Sequence, residues 1–124
     1  MQLNKSTDYA IRLLICLAET PVPVPSSKLA VEVGVSQRYL LQIGAKLREA
    51  GFIKTAHGPT GGYVLTRCPE EISLYDIITV MEGMYWNIHA KSEGTLLPLH
   101  AAYSQLEDMV KQHLCSITLN DLQN

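Results

Sequence analysis

The order of residue patterns between positions 26 and 67 is the feature of this chain that limits its possible folds most strongly. It reads as a short helix SSKLAVEV, a turn GVS, a second helix QRYLLQIGAKLREAG, and two strand-like segments, FIKTAH and YVLTR, separated by GPTGG. Ser36 is a favoured residue before a helix, and Gly34 is a favoured residue after one. The glycines and proline between the strands predict a tight hairpin. This is the plan of a winged helix-turn-helix, in which one helix enters the major groove of DNA.

Helical periodicity precedes this segment. The apolar spacing predicts a first helix from Lys5 to Ala18. Pro21, Pro23 and Pro25 end it, because proline lacks the backbone N–H that a helix interior needs. Ser26 is then expected to cap the second helix.

Two more helices are predicted after the hairpin. Ser73 and Asp76 have the spacing of a capping box at the start of a helix that runs through Glu82. A last long helix is predicted from about Leu99 to Leu114. The predicted fold class is therefore mainly α with a small β wing, a winged helix-turn-helix domain followed by a long C-terminal dimerisation helix.

The last helix has an apolar seam whose members are three or four residues apart. Its members are Leu99, Tyr103, Leu106, Val110 and Leu114. The seam can fold back on the domain or pair with a second copy. We favour a homodimer because two-fold DNA half-sites need a two-fold protein. We expect a DNA-binding domain at residues 1–83, and a sensor-type loop with the dimerisation helix at residues 84–124.

Charge is unevenly divided, although the net charge is only −2. Residues 1–67 contain eight Lys and Arg against four Asp and Glu, whereas residues 68–124 contain two against eight. A basic first half is what a DNA-binding surface needs, and an acidic second half suits a lobe that faces away from phosphates. A chance division of so few charges is the alternative.

The exposed face of the predicted third helix is the main candidate for reading bases. Arg38 pairs well with guanine, and Gln37 and Gln42 with adenine, each through two hydrogen bonds. Ser36 places a helix N-terminus where a phosphate can bind. Leu41 is suited to touch a thymine methyl. The full set of DNA-binding candidates, including cationic and wing residues, is Ser36, Gln37, Arg38, Tyr39, Gln42, Lys28, Lys46, Lys54, His57, Thr60, Gly61 and Gly62.

Neither a metal centre nor a disulfide framework is indicated. Cys16, Cys68 and Cys115 are far apart and form no CxxC pair. His89, His100 and His113 lack a recognised ligand spacing. Cys16 is expected to be a buried, inert thiol, and the other two cysteines are weak candidates for redox sensing. The chain has no recognisable signal peptide and no apolar run long enough to cross a bilayer, so we expect a cytoplasmic protein.

The chain resembles the BadM/Rrf-two family of bacterial regulators over nearly its whole length. The similarity lies in STDYAIRLL, GVSQRYLLQIGAKLREAGFIK, HGPTGGYVL, PEEISLYDIITVMEG and SITLNDL. It implies a homodimeric winged-helix transcription factor that dimerises through the long last helix. It also implies DNA contacts from the start of the recognition helix and from the wing tip.

Two departures from the family pattern affect what the resemblance implies. Members that sense through an iron–sulfur cluster have three cysteines between the EG pair and the long helix. Here that loop reads MYWNIHAKSEGTLLPLH, without a cysteine, so we expect neither a cluster nor another cofactor. His57 stands where many relatives have arginine, and Leu41 where a carboxylate is common. The family's DNA sequence preference is therefore not carried over.

The sequence thus predicts a DNA-binding transcriptional regulator, a homodimeric repressor that responds to a small molecule or to thiol oxidation. Tyr85, Trp86 and His89 are the candidate effector residues. A winged-helix interaction module that has lost DNA reading is the alternative, favoured by the net negative charge and by Leu41. A small enzyme ranks last, since no nucleophile–base set or phosphate loop is present.

Overall fold

The structure, a computed structural model, describes residues 2–83 and 97–123. Its elements follow the order expected from the sequence, mainly α-helical with a two-stranded wing. The helices are α1 (Lys5–Ala18), α2 (Ser26–Val33), α3 (Gln37–Glu49), α4 (Leu74–Glu82) and α5 (Leu97–Cys115), and the strands are β1 (Ile53–Ala56) and β2 (Gly62–Leu65). Short 3-10 helices lie at Pro69–Glu71 and Leu119–Leu122.

The hydrophobic core surrounds α1, which packs against α2, α3 and α4. Leucines from three helices are completely buried there, including Leu13, Leu29 and Leu47. Burying one such side chain contributes about 1.5–3 kcal/mol. This core holds α2 and α3 in one rigid helix-turn-helix pair.

The turn between α2 and α3 depends on two local signals. Gly34 ends α2 in the left-handed region at φ 87°, where a residue with a Cβ is disfavoured. Ser36 precedes α3, and its hydroxyl accepts a hydrogen bond from the Tyr39 N–H at 3.1 Å. Both signals were expected from the sequence, and both are confirmed.

The start of α2 differs from the expectation. Pro25 is the residue before the helix, and Ser26 is its first helical residue, without a side-chain capping bond. The prediction that Ser26 caps α2 is therefore wrong. The rigid proline takes the extended conformation that a residue before a helix needs, at φ −61° and ψ 147°, and the Ser26 hydroxyl is left to make another contact.

The wing is an antiparallel hairpin with a third, very short partner. β1 pairs with β2 in a register that places Ile53 opposite Leu65. Val24, in the proline-rich link between α1 and α2, forms a bridge to Tyr63. Their backbones exchange two hydrogen bonds, of 3.0 and 2.9 Å. The link therefore ties the wing to the helix-turn-helix pair.

The C-terminal segment returns to the first part of the chain after α5. The Leu74 N–H donates to the Ile117 carbonyl at 2.8 Å, and the Leu119 N–H donates to the Ile72 carbonyl at 3.0 Å. The Leu119 side chain is completely buried in the core. In contrast, α5 itself contains no buried residue. None of the helices that the structure describes is both long and apolar enough to span a membrane.

Candidate nucleic-acid interface

The start of α3 is shaped by its serine cap. The Ser36 hydroxyl satisfies one of the N–H groups that a helix leaves without an intrahelical partner at its start. The remaining N–H groups and the aligned peptide dipoles give this end a partial positive charge. The position is therefore chemically suited to a phosphate oxygen.

The outer face of α3 presents three neighbouring side chains to solvent. Arg38 and Gln42 are exposed, and Leu41 retains 45% of its accessible surface. Leu40 and Ile43 point the other way, into the core. Within residues 2–83 and 97–123, neither Arg38 nor Gln42 has a hydrogen-bond or ion-pair partner. This face therefore combines a cation, an amide and an apolar tip, which are the groups that read base edges.

Gln37, also predicted to read DNA, is held by a neighbour in the other helix of the pair. Its Nε2 donates to the hydroxyl oxygen of Ser26 at 3.0 Å. Gln37 is exposed and Ser26 is half-buried. The amide therefore lies at the surface with one of its donors already committed.

Two of the predicted DNA contacts have structural partners inside the fold. The Tyr39 ring packs edge-on against the Tyr9 ring of α1, with centroids 5.8 Å apart at 86°. Lys46 Nζ donates to the Met81 carbonyl of α4 at 3.4 Å. Tyr39 is half-buried, and Lys46 is exposed. Both side chains help to fix α3 against neighbouring helices, whatever else they contact.

The wing places its polar candidates at the surface. Lys54 on β1, and His57 and Thr60 in the turn, are exposed. Lys54 has no hydrogen-bond or ion-pair partner in the part of the chain that the structure describes. These side chains are arranged on an outward hairpin, as expected for contacts to a phosphate backbone.

The wing glycines have structural reasons to be glycine. A Cβ on Gly62, whose φ is 153°, would lie 2.2 Å from the Val24 carbonyl oxygen. A Cβ on Gly61 would lie 2.3 Å from the Ala56 carbonyl oxygen. Both distances are far below van der Waals contact. Their predicted role in DNA binding is thus accompanied by a packing role that would select glycine by itself.

Three residues were missed by the sequence interpretation. Tyr63 is buried and points its ring at Gly44 of α3, where an added Cβ would meet the phenol oxygen at 3.0 Å. Arg48 Nη1 donates to Thr55 Oγ1 at 3.3 Å and so joins α3 to β1. The third is Val24, which forms a bridge to the wing. It is the one of the three whose extended backbone could have been expected from the sequence, because it precedes Pro25 and a residue before proline prefers an extended backbone.

Lys28 lies on the side of α2 that faces a cleft below the α1–α2 link. Glu32 and Cys16 also line this cleft. Burial raises the pKa of the Cys16 thiol above its ordinary value, and the charge and hydrogen bond of Glu32 raise it further. Cys16 is half-buried, whereas Cys68 and Cys115 are exposed. The cleft is therefore an unfavourable place for a reactive thiolate.

The predicted dimer seam lies on α5 and is incompletely covered. Leu99 and Leu106 retain 44% and 46% of their surface, and Tyr103, Val110 and Leu114 are half-buried. Leu97 and Met109 are more exposed, at 74% and 61%. The proposed effector residues Tyr85, Trp86 and His89 lie outside the described residues.

Across residues 2–83 and 97–123, no group of three His, Cys, Asp or Glu side chains is arranged to hold a metal ion. The sequence has no cysteine between Cys68 and Cys115. The cysteines of this chain, at positions 16, 68 and 115, therefore do not supply the closely spaced set of thiolates that an iron–sulfur cluster needs.

Comparison with known proteins gives consistent matches along the chain. The family model Rrf2, described as Iron-dependent Transcriptional regulator, matches residues 3–124. The HTH-type transcriptional regulator CymR of Bacillus subtilis is 32% identical over 124 residues, which cover 98% of this chain and 89% of CymR. The HTH-type transcriptional regulator IscR of Aliivibrio salmonicida is 30% identical over 129 residues, covering 98% of this chain and 77% of IscR.

A solved structure agrees with these sequence matches. The structure of CymR, the global cysteine regulator of B. subtilis, superposes with a TM-score of 0.86 at 31% identity, covering 98% of this chain and 95% of that one. The helix-turn-helix pair, the wing and the family match point to the same class of DNA-binding protein. The chain belongs to the Rrf2 family of transcriptional regulators.

Proposed function

We propose that this protein is a homodimeric repressor that binds an operator through α3 and the wing. The observation that supports this most directly is the outer face of α3, where Arg38 and Gln42 are exposed side by side. Neither has a partner among the described residues. An arginine there can make two hydrogen bonds to guanine, and a glutamine can make two to adenine.

The wing supplies the second contact of this proposal. Lys54 is an exposed cation on β1, and His57 and Thr60 are exposed at the turn. Because the wing is joined to α3 by Arg48 and Thr55, the two elements can meet one duplex together. Contacts to phosphates fix the register of a protein on DNA, while the helix reads bases.

We assign the homodimer contact to α5. This helix has no buried residue in the described chain, and Leu99, Leu106 and Met109 are exposed along it. A second copy would remove this apolar surface from water, which is favourable by about 25 cal/mol per Å². Residues 1–83 would then form the DNA-binding part, and residues 84–124 the dimerisation part.

We assign the release signal to a small molecule or to thiol oxidation, without an iron–sulfur cluster or another cofactor. The absence of cysteine between Cys68 and Cys115 in the sequence supports the part of this assignment that concerns the cluster, and the exposed thiols of Cys68 and Cys115 are the ones available for oxidation. Repression follows from operator binding when the bound dimer occupies the site that RNA polymerase needs.

DNA binding is tested by fluorescence anisotropy with the duplex upstream of the protein's own gene, over a range of salt concentrations. Affinity should fall steeply with salt because phosphate contacts release counterions. Arg38→Ala should weaken binding about tenfold. Arg12→Ala is the charge-matched control, since Arg12 is on α1 and is already paired with Asp8 at 2.8 Å; it should change affinity less than about twofold.

A protein that binds no duplex at any salt concentration, or an Arg38→Ala variant equal to Arg12→Ala, would contradict the proposal. It would favour a winged-helix module for protein interaction instead. A reporter driven by the upstream region distinguishes repression from activation. Expression should rise when the gene is deleted and fall when it is restored.

A further inference from the structure

The serines at the starts of the two helices in the helix-turn-helix pair make different contacts. Ser36 caps its own helix through the Tyr39 N–H. Ser26 does not cap α2, since Pro25 precedes that helix and no side-chain capping bond forms. The Ser26 hydroxyl instead accepts the hydrogen bond from Gln37 Nε2, at 3.0 Å across the turn.

This hydrogen bond determines which groups Gln37 can offer to a ligand. A glutamine amide is planar and has two N–H donors and one carbonyl acceptor. When one N–H points to Ser26, the second N–H and Oε1 remain on the exposed side. The amide then presents one donor and one acceptor rather than two donors.

Adenine is the base whose major-groove edge matches this pattern. Its N7 accepts a hydrogen bond and its N6 amino group donates one, whereas guanine offers two acceptors, N7 and O6. Oε1 would therefore face an acceptor on guanine and a donor on adenine. A turned-over amide, with Oε1 accepting from the Ser26 hydroxyl, would present two donors and match guanine, so it is the orientation with Nε2 donating to Ser26 that predicts adenine.

We propose that Ser26 is a positioning residue for base specificity, and that it holds the Gln37 amide in the orientation that selects adenine at one position of each half-site. This inference rests on the proposed binding of DNA by α3. Ser26 itself lies half-buried at the start of α2 and acts through Gln37, not on the base.

The test is selection of duplexes from a randomised pool, with the preference measured at every base position. Gln37→Ala identifies the position that Gln37 reads. Ser26→Ala should reduce the adenine preference at that same position about fivefold, the effect of one neutral hydrogen bond. Preferences at the other positions should stay as they are in the wild type, an outcome that a general loss of structure would not produce.

Four further variants sharpen the result. Ser26→Thr keeps the hydroxyl and should retain the preference. Ser27→Ala is the matched control, since Ser27 is exposed and its side chain makes no hydrogen bond to the described residues; it should match the wild type. Adding Ser26→Ala to Gln37→Ala should have no further effect on base preference. Gln37→Glu, an acceptor only, should move the preference from adenine to cytosine.

The outcomes distinguish a failure of the positioning role of Ser26 from a failure of the proposed DNA binding. Wild-type protein that selects sequences, with Ser26→Ala selecting the same bases equally strongly, overturns the positioning role and leaves DNA binding intact. A wild-type preference for guanine at the Gln37 position also overturns it. Wild-type protein that retains no duplex from the pool overturns both proposals.

Discussion

The carboxylate of Glu82 accepts two hydrogen bonds from Asn4, one from the backbone N–H at 2.7 Å and one from Nδ2 at 2.6 Å. A third comes from the Thr7 hydroxyl at 3.0 Å. Glu82 is the last residue of α4, and Asn4 is the residue before α1. A carboxylate is favourable at a helix start, because N–H groups and the positive end of the helix dipole meet there.

Replacing Glu82 should therefore destabilise the protein strongly. Glu82 is 6% exposed and Thr7 is fully buried, so Glu82→Ala would remove three hydrogen bonds and leave the buried Thr7 hydroxyl without this acceptor. We expect a loss of about 3 kcal/mol in the free energy of unfolding. Urea denaturation followed by circular dichroism measures this loss. Glu70→Ala, at an exposed glutamate, is the control and should change stability by less than about 0.5 kcal/mol; equal effects of the two variants would contradict the role of the network.

The contact between Gly44 and Tyr63 predicts a second effect on stability. A Cβ at Gly44 would lie 3.0 Å from the Tyr63 phenol oxygen and 3.1 Å from Cζ. Overpacking costs about 1–3 kcal/mol, and alanine regains about 1 kcal/mol of helix propensity. Gly44→Ala should then destabilise by about 1 kcal/mol.

Thermal denaturation measures this change, and a second substitution identifies its cause. Tyr63→Phe removes the oxygen nearest to the new Cβ, so the double variant Gly44→Ala/Tyr63→Phe should recover part of the stability lost in Gly44→Ala. Glu49→Ala, exposed on the same helix, controls for helix propensity. A Gly44→Ala variant more stable than the wild type would show that the ring moves aside without cost.

The apolar residues of α5 predict the state of assembly. Leu106 is 46% exposed in the single chain, and an aspartate there would bring a charge into the proposed dimer contact. Leu106→Asp should shift the protein from a dimer to a monomer of 13.7 kDa in light scattering after gel filtration. Ser104→Asp adds the same charge to the exposed opposite side of α5 and should remain a dimer. A wild-type monomer at micromolar concentration would refute this assignment.

The environment of Cys16 predicts an order of thiol reactivity. Burial raises its pKa, with further contributions from the charge and hydrogen bond of Glu32 and from the charge of Glu19. A raised pKa leaves less thiolate at a given pH, and the thiolate is the reactive form. Iodoacetamide at pH 8 should therefore modify Cys16 more slowly than Cys68 or Cys115.

Mass spectrometry of digested samples gives the rate at each cysteine. The difference should disappear in urea, because unfolding removes the burial. Glu32→Gln should raise the rate at Cys16 by less than unfolding does, since burial is the larger cause. Equal rates for all three cysteines in the native protein would contradict the predicted order.

The sequence by itself determined the elements whose signals lie within a few residues. The cap at Ser36, the helix end at Gly34 and the capping box of Ser73 with Asp76 are all present. Each depends on a bond or a backbone angle that neighbouring residues set between them. Apolar periodicity likewise identified the outward side of α3, with Arg38 and Gln42 on it.

Tertiary structure alone decided how these elements are joined. Glu82 and Asn4 are 78 residues apart in the chain, and Val24 meets Tyr63 only because α1 and the wing pack on one core. The hydroxyl of Ser26, expected to cap its own helix, reaches Gln37 instead. Such contacts depend on distances between packed elements, and local residue preferences contain no information about those distances. The sequence therefore indicated which helix should face DNA, while packing set how the side chains of that helix are held.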